Sequence, residues 1–160
     1  MKKFMLIVFA VAIAAAITYT AANGYTDEFI EKTQNAGLSA GVEKVEVYAK
    51  GLNEDYTYTS AGAFYVYGCK LSSAGIITAN VDNILGTAVF YDRELALSDV
   101  LKAYGARSVI IQSAEDCINV YGYADGLGQG VEIDGKAINV QIVLKEGKTV
   151  VGCPLVMGSY

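Results

Sequence analysis

The chain has 160 residues, with 12 basic and 17 acidic side chains and neither histidine nor tryptophan. A net charge of −5 lacks the basic footprint that displaces counterions from phosphates, which argues against a nucleic-acid partner. Without histidine there is no Ser-His-Asp or Cys-His nucleophile, no histidine-dependent zinc site and no ordinary proton shuttle near neutral pH.

Lys2 and Lys3 precede an apolar run from Phe4 to Ile17, and Thr18–Ala22 is smaller and more polar. This is the layout of a secretory signal peptide, residues 1–22, with cleavage expected after Ala22. The alternative is a retained anchor. The run is shorter than the roughly 20 residues of a spanning helix, and Thr18–Ala22 would extend it. Membrane association follows only if the leader is kept. Cleavage leaves residues 23–160 as a single domain of ordinary size. Losing Lys2 and Lys3 then takes the charge from −5 to −7.

Thr26-Asp27-Glu28 ahead of Phe29 and Ile30 predicts a helix start with Thr26 as its cap, and Gly37 and Gly41 mark its end. Val42–Lys50 alternates, Val45, Val47 and Ala49 against Lys44, Glu46, Tyr48 and Lys50, as a half-buried strand does. Asn53–Ser60 repeats that pattern, and Ala63–Leu71 is aromatic and β-branched. Ile76–Val81 and Leu85–Tyr91 are two further strand candidates around the turn residues Asp82-Asn83.

A second helix is expected from the cap Asp92, with Leu95, Leu97, Val100, Leu101 and Tyr104 as its apolar stripe and Gly105 at its end. Val109–Gln112, Ile118–Tyr123, Ile138–Leu144 and Thr149–Val151 then read as strands, the last two joined by the turn Lys145–Lys148. The order of helix, strands, helix, strands with period-2 patterning predicts an α+β domain, its antiparallel sheet carrying helices on one face. Val66-Tyr67-Gly68 recurs as Val120-Tyr121-Gly122, hinting at a duplicated unit over about residues 26–91 and 92–160.

Little chemistry is available to this composition. No serine stands three residues before a lysine, as a Ser–Lys nucleophile would require. Cys69, Cys117 and Cys153 all lie in strand-like apolar contexts. Three buried thiols is the reading packing favours, and one disulfide plus a free thiol is the alternative. Asp125-Gly126-Leu127-Gly128-Gln129-Gly130 precedes an extended segment rather than a helix, so it reads as a backbone connection, not a phosphate loop. The pairs Asp27/Glu28, Glu54/Asp55 and Glu115/Asp116 lie at a helix start and in turns, where solvation explains them. No catalytic residue, cofactor or metal ligand is assigned.

Twelve tyrosines are the more informative excess. Tyr56/Tyr58, Tyr65/Tyr67 and Tyr121/Tyr123 are i,i+2 pairs, each sharing one strand face. Ordinary half-buried sheet packing accounts for such pairs. The functional reading makes them a candidate binding face, since tyrosine joins an apolar body to a polar tip.

Residues Tyr123–Val156 carry an ordered series: Tyr123, Leu127-Gly128, Gly130, Gly135-Lys136, Ile138-Asn139-Val140-Gln141 and Gly152-Cys153-Pro154-Leu155. The segment resembles the C-terminal part of the YwmB family, exported proteins of spore-forming Gram-positive bacteria with a TATA-box-binding-protein-like fold. Cys153 stands where the family typically has threonine. The resemblance implies a duplicated α/β unit and an exported location, and it supplies no catalytic residue. The expectation is a non-enzymatic cell-envelope protein that binds a protein or wall polymer, with a link to sporulation or wall remodelling. The alternative is a carboxylate-dependent envelope hydrolase, which needs two facing acids across a cleft.

Overall fold

A computed structural model describes residues 23–157. The leader and the choice between cleavage and retention lie outside the described residues. Among the described residues, three α-helices and an eight-stranded antiparallel sheet make up an α+β fold. In chain order these are α1 (Asn23–Asn35), β1 (Val42–Ala49), β2 (Thr59–Ser60), β3 (Tyr65–Cys69), α2 (Leu71–Asn80), β4 (Ile84–Tyr91) and α3 (Leu97–Tyr104). Then follow β5 (Ala106–Ala114), β6 (Cys117–Ala124), a 3₁₀ turn (Asp125–Leu127), β7 (Val131–Ile133), β8 (Lys136–Ile138), β9 (Val140–Lys145) and β10 (Lys148–Cys153). The sheet order is β2-β3-β1-β4-β10-β9-β6-β5, and β7–β8 is a separate hairpin.

Register explains why the helices share one face. Val45 lies opposite Val89, Val89 opposite Val151, Val151 opposite Ile142 and Ile142 opposite Val120, so these side chains form one transverse row. Phe29 and Ile30 of α1, Ala74 of α2 and Val100 and Tyr104 of α3 pack on that row. Phe29 and Tyr104 stack with ring centroids 5.0 Å apart. Gly105 closes α3 in the left-handed region at φ 64°, as its sequence position predicts.

The second sheet face is not left to water. Tyr48 alternates outward with Lys44 and Glu46, yet it is fully buried, edge-on to Phe64 at 6.0 Å and clustered with Leu85, Val156 and Met157. The reading of β1 as half-buried fails at this end because the C-terminal segment folds back beneath the sheet. Gln141 holds that segment by accepting the Val156 N–H at 2.9 Å and donating to Asn119 Oδ1 at 3.0 Å.

Four local expectations are corrected. Ile76–Val81 is not a strand: it falls largely within α2, where Ala74, Ile77 and Thr78 are buried and Ile76 is exposed. Burial at helical spacing against β1 and β3 overrides the β-branched composition. Of Asn53–Ser60 only Thr59–Ser60 pairs, because the remainder folds as a loop over β3. Thr26 lies within α1 and is buried rather than capping it. Asp92 likewise caps nothing: α3 begins at Leu97 after Ala96, which gives no side-chain cap.

The glycine-rich connection behaves as a backbone device. Gly128 and Gly130 have φ of 78° and 72°, and a Cβ on Gly130 would strike the Ile138 carbonyl. Asn139, fully buried, clamps the connection. Its Oδ1 accepts from the Ala124 N–H at 2.8 Å, and its Nδ2 donates to the Ala124 and Gly128 carbonyls at 2.7 Å each. Asn139→Ala would strand buried backbone groups, with an expected loss of about 2–3 kcal/mol. Urea unfolding should show a lower midpoint at unchanged slope.

Candidate functional site

The tyrosine pairs separate into two groups. Tyr56, Tyr58, Tyr65 and Tyr67 converge at the β3 edge of the sheet. Tyr121 and Tyr123 sit on β6, five strands from β3, or about 24 Å at the usual strand spacing. They also face the other way. Tyr67 lies opposite Val47 on the helix side, whereas Tyr121 lies opposite Gln141 and packs with Leu155, Ile138 and Val131. Tyr123 is half-buried, with the Arg107 guanidinium 5.0 Å from its ring centroid. Six tyrosines therefore do not form one face. Period-2 pairing places two side chains together, but it does not say which pairs become neighbours.

At the β3 edge one tyrosine supports the others. Tyr67 is fully buried, and its hydroxyl donates to the Gly51 carbonyl at 2.8 Å and accepts from the Asn53 N–H at 2.9 Å. Asn53 Nδ2 donates to the Asn80 carbonyl at 2.9 Å, while its Oδ1 accepts the Asp55 N–H at 3.0 Å. The Gly51 N–H donates to the Asp82 carbonyl at 3.0 Å, and the Lys50 N–H to that of Asn83, also at 3.0 Å. A Cβ on Gly51 would run into the Asp82 carbonyl, so glycine is what lets the loop lie this close.

That scaffold presents an aromatic edge. The Tyr58 ring meets Tyr65 edge-on at 5.5 Å and tilts over Tyr67 at 6.2 Å. Tyr58 is 38% exposed, Leu52 on the preceding loop is 46% exposed, and Tyr56 and Tyr65 are half-buried. Leu52 escapes sequence reasoning because a lone apolar residue between Gly51 and Asn53 carries no periodic signal.

The four turn carboxylates all face solvent. Glu54 and Asp55 lie in the loop beside β3, Glu115 and Asp116 in the β5–β6 turn near the opposite end of the sheet. Six strand spacings put these pairs roughly 29 Å apart, well beyond the roughly 5–9.5 Å that separates glycosidase carboxylates. No group of three Cys, Asp or Glu that could hold a metal ion occurs among the described residues. No described helix is long and apolar enough to cross a membrane.

The thiols are free and stand on different strands. Three strand spacings separate β3 from β10 and two separate β6 from β10, roughly 14 and 10 Å, too far for a disulfide without backbone movement. Only Cys153 is fully buried; Cys69 and Cys117 are half-buried, since each sits toward the periphery of the sheet. Burial pushes Cys69 up to about 11 and Cys153 up to about 12. Cys117 is raised as well, by burial and then by the Asp116 charge. All three are neutral thiols near pH 7, which is the wrong state for a nucleophile.

No family model, curated protein or solved structure matches this chain. Its class therefore rests on its own geometry, three helices and an eight-stranded antiparallel sheet with an aromatic edge.

A pH dependence follows from the buried acids. Cys153 in the folded chain keeps the proton that the unfolded chain, at its ordinary 9.0, has released. Burial likewise raises Tyr91 from 10.0 to about 12. Their stability contribution is complete below the unfolded values and is lost as pH rises from 9.0 toward about 12. Urea unfolding across that range should show stability falling by up to about 1.4 kcal/mol per pH unit for each group. Cys153→Ala should flatten part of the decline.

Proposed function

We propose that this is a non-enzymatic, exported cell-envelope protein that binds a partner through the aromatic edge at β3. One observation carries the reading: Tyr56, Tyr58 and Tyr65 gather around the buried Tyr67, whose hydroxyl also braces the loop that carries the exposed Leu52. Tyrosine rings held in place lose little side-chain entropy on binding and supply both apolar area and hydroxyls. Exposed Glu54 and Asp55 lie beside them, and the whole chain is acidic. A neutral or basic protein surface suits that field better than an anionic wall polymer.

Export, an envelope location and a link to sporulation rest on the leader pattern and on the resemblance to the YwmB family. The TATA-box-binding-protein-like duplication has the same origin. Two features support it: each half opens with a helix, and each sends its last strand to the sheet centre, where β4 and β10 pair. The halves differ in that β3 reaches β4 through α2, whereas β5, β6, β9 and β10 are sequential neighbours in the sheet.

Leu52→Ser alters an exposed side chain, so stability should stay within about 0.5 kcal/mol of wild type, while Tyr58→Ser gives up its ring contacts with Tyr65 and Tyr67 and should cost about 1 kcal/mol. Pull-down from an envelope fraction should lose its specific protein bands with either variant. Unchanged capture by both variants would count against this edge. Retention on purified wall polymer, equal in wild type and variants, would move the reading to another surface.

A further inference from the structure

The two ends of the sheet are finished differently. At one end β3 is shielded by β2 and the loop above it. At the other, β5 is the outermost strand and, among the described residues, pairs only with β6, which leaves its nine residues with an open hydrogen-bonding edge there. In Ala-Arg-Ser-Val-Ile-Ile-Gln-Ser-Ala the one charged residue, Arg107, stands near the start, and the seven residues after it carry no charge or proline to protect the edge. Its one irregularity is a register shift between Ser108 and Ile110.

An apolar patch adjoins that edge. Ile111 lies opposite Val120, so it faces the helix side, and Ile118 shares that face two residues before Val120. Ile111 is 58% exposed and Ile118 39%.

We propose that the β5 edge pairs antiparallel with β5 of a second copy of this chain, forming a two-fold dimer whose sheet is continuous across both copies. The charges select this occupant. The strand carries Arg107 as its second residue and runs into the Glu115-Asp116 turn, so it is basic at one end and acidic at the other. Antiparallel pairing centred on Ile111 brings each Arg107 beside the acidic turn of the other copy, and two-fold symmetry makes the match twice. The same register sets the two Ile111 side chains together, flanked by the two Ile118 side chains.

Arg107 is available for this role. It faces Asp125 at 3.8 Å across an exposed pair and lies 5.0 Å from the Tyr123 ring centroid, and at an exposed site both contacts hold it only weakly. Glu115 and Asp116 are exposed and stand in no described ion pair.

Sedimentation of the full chain across the micromolar range tests the dimer. Wild type should show twice the chain mass, and Ile111→Lys should reduce it to the chain mass. Arg107→Glu should weaken association about tenfold or more, and adding Glu115→Arg and Asp116→Arg to it should restore most of the loss. Hydrogen exchange gives a second readout without any substitution: β5 amide protection in wild type should fall on dilution. A wild-type monomer, a dimer that survives Ile111→Lys, or β5 protection indifferent to concentration would each overturn the proposal. So would a monomer that instead takes an unrelated extended peptide onto β5.

Discussion

The pairing of β4 with β10 holds the two halves of the chain in one sheet. Every residue of β4 is buried, and β10 lies beside it from Thr149 opposite Tyr91 to Cys153 opposite Thr87. These partners are some sixty residues apart in sequence, so the pairing is non-local and closes a large loop. Its return is apolar burial on both faces. Val89 and Val151 look toward the helices, while Phe90 and Val150 look toward the folded-back C-terminal segment. Two glycines make the second layer fit. A Cβ on Gly86 would approach the Cys153 carbonyl oxygen to 2.7 Å, and one on Gly152 would approach Val156 N to 2.6 Å. Without side chains there, the terminal segment lies directly against the strands.

A small set of buried polar groups then fixes what the sheet leaves free. Asn139 clamps the glycine connection, and Gln141 ties the C-terminal segment to β6. Thr149 Oγ1 accepts the Leu95 N–H at 2.8 Å, which docks the segment before α3 onto β10. Thr33 Oγ1 donates to the Phe29 carbonyl at 2.9 Å and shares a 2.7 Å hydrogen bond with the Tyr104 hydroxyl, joining α1 to α3. Tyr67 does the same for the loop that carries the aromatic edge. Each of these groups would be costly to leave unpaired, so each specifies one arrangement of loops and helices. The candidate surface is thus a consequence of the core: exposed Tyr58 and Leu52 are placed by a tyrosine that no partner could touch.

Much of the local structure was legible in the chain. Alternation identified β1, the turn Lys145–Lys148 separated the last two strands, and Gly105 marked the end of α3. The misreadings have a common origin. Ile76–Val81 is β-branched in composition, but its Ile77 falls at helical spacing with the preceding Ala74 on a surface supplied by β1 and β3. Tyr48 alternates with charged residues, but Phe64 and Met157 arrive from elsewhere to cover it. In both cases the deciding neighbour is distant in sequence. The candidate site divides the same way. Tyr56/Tyr58 and Tyr65/Tyr67 were visible as pairs, while Leu52 and the solvent-facing Ile111 were not, because exposure depends on what packs nearby.

The sequence by itself determined an α+β pattern, an acidic chain without histidine chemistry, and glycines placed as backbone devices. Those properties reside in single residues and short periods, where sterics, charge and hydrogen-bonding capacity act locally. Only the tertiary structure decided that β10 pairs at the centre of the sheet, that four tyrosines meet while Tyr121 and Tyr123 stand apart on β6, and that β5 is left as an open edge. Strand order is set by which apolar rows bury each other best across long loops, and no local pattern encodes that choice.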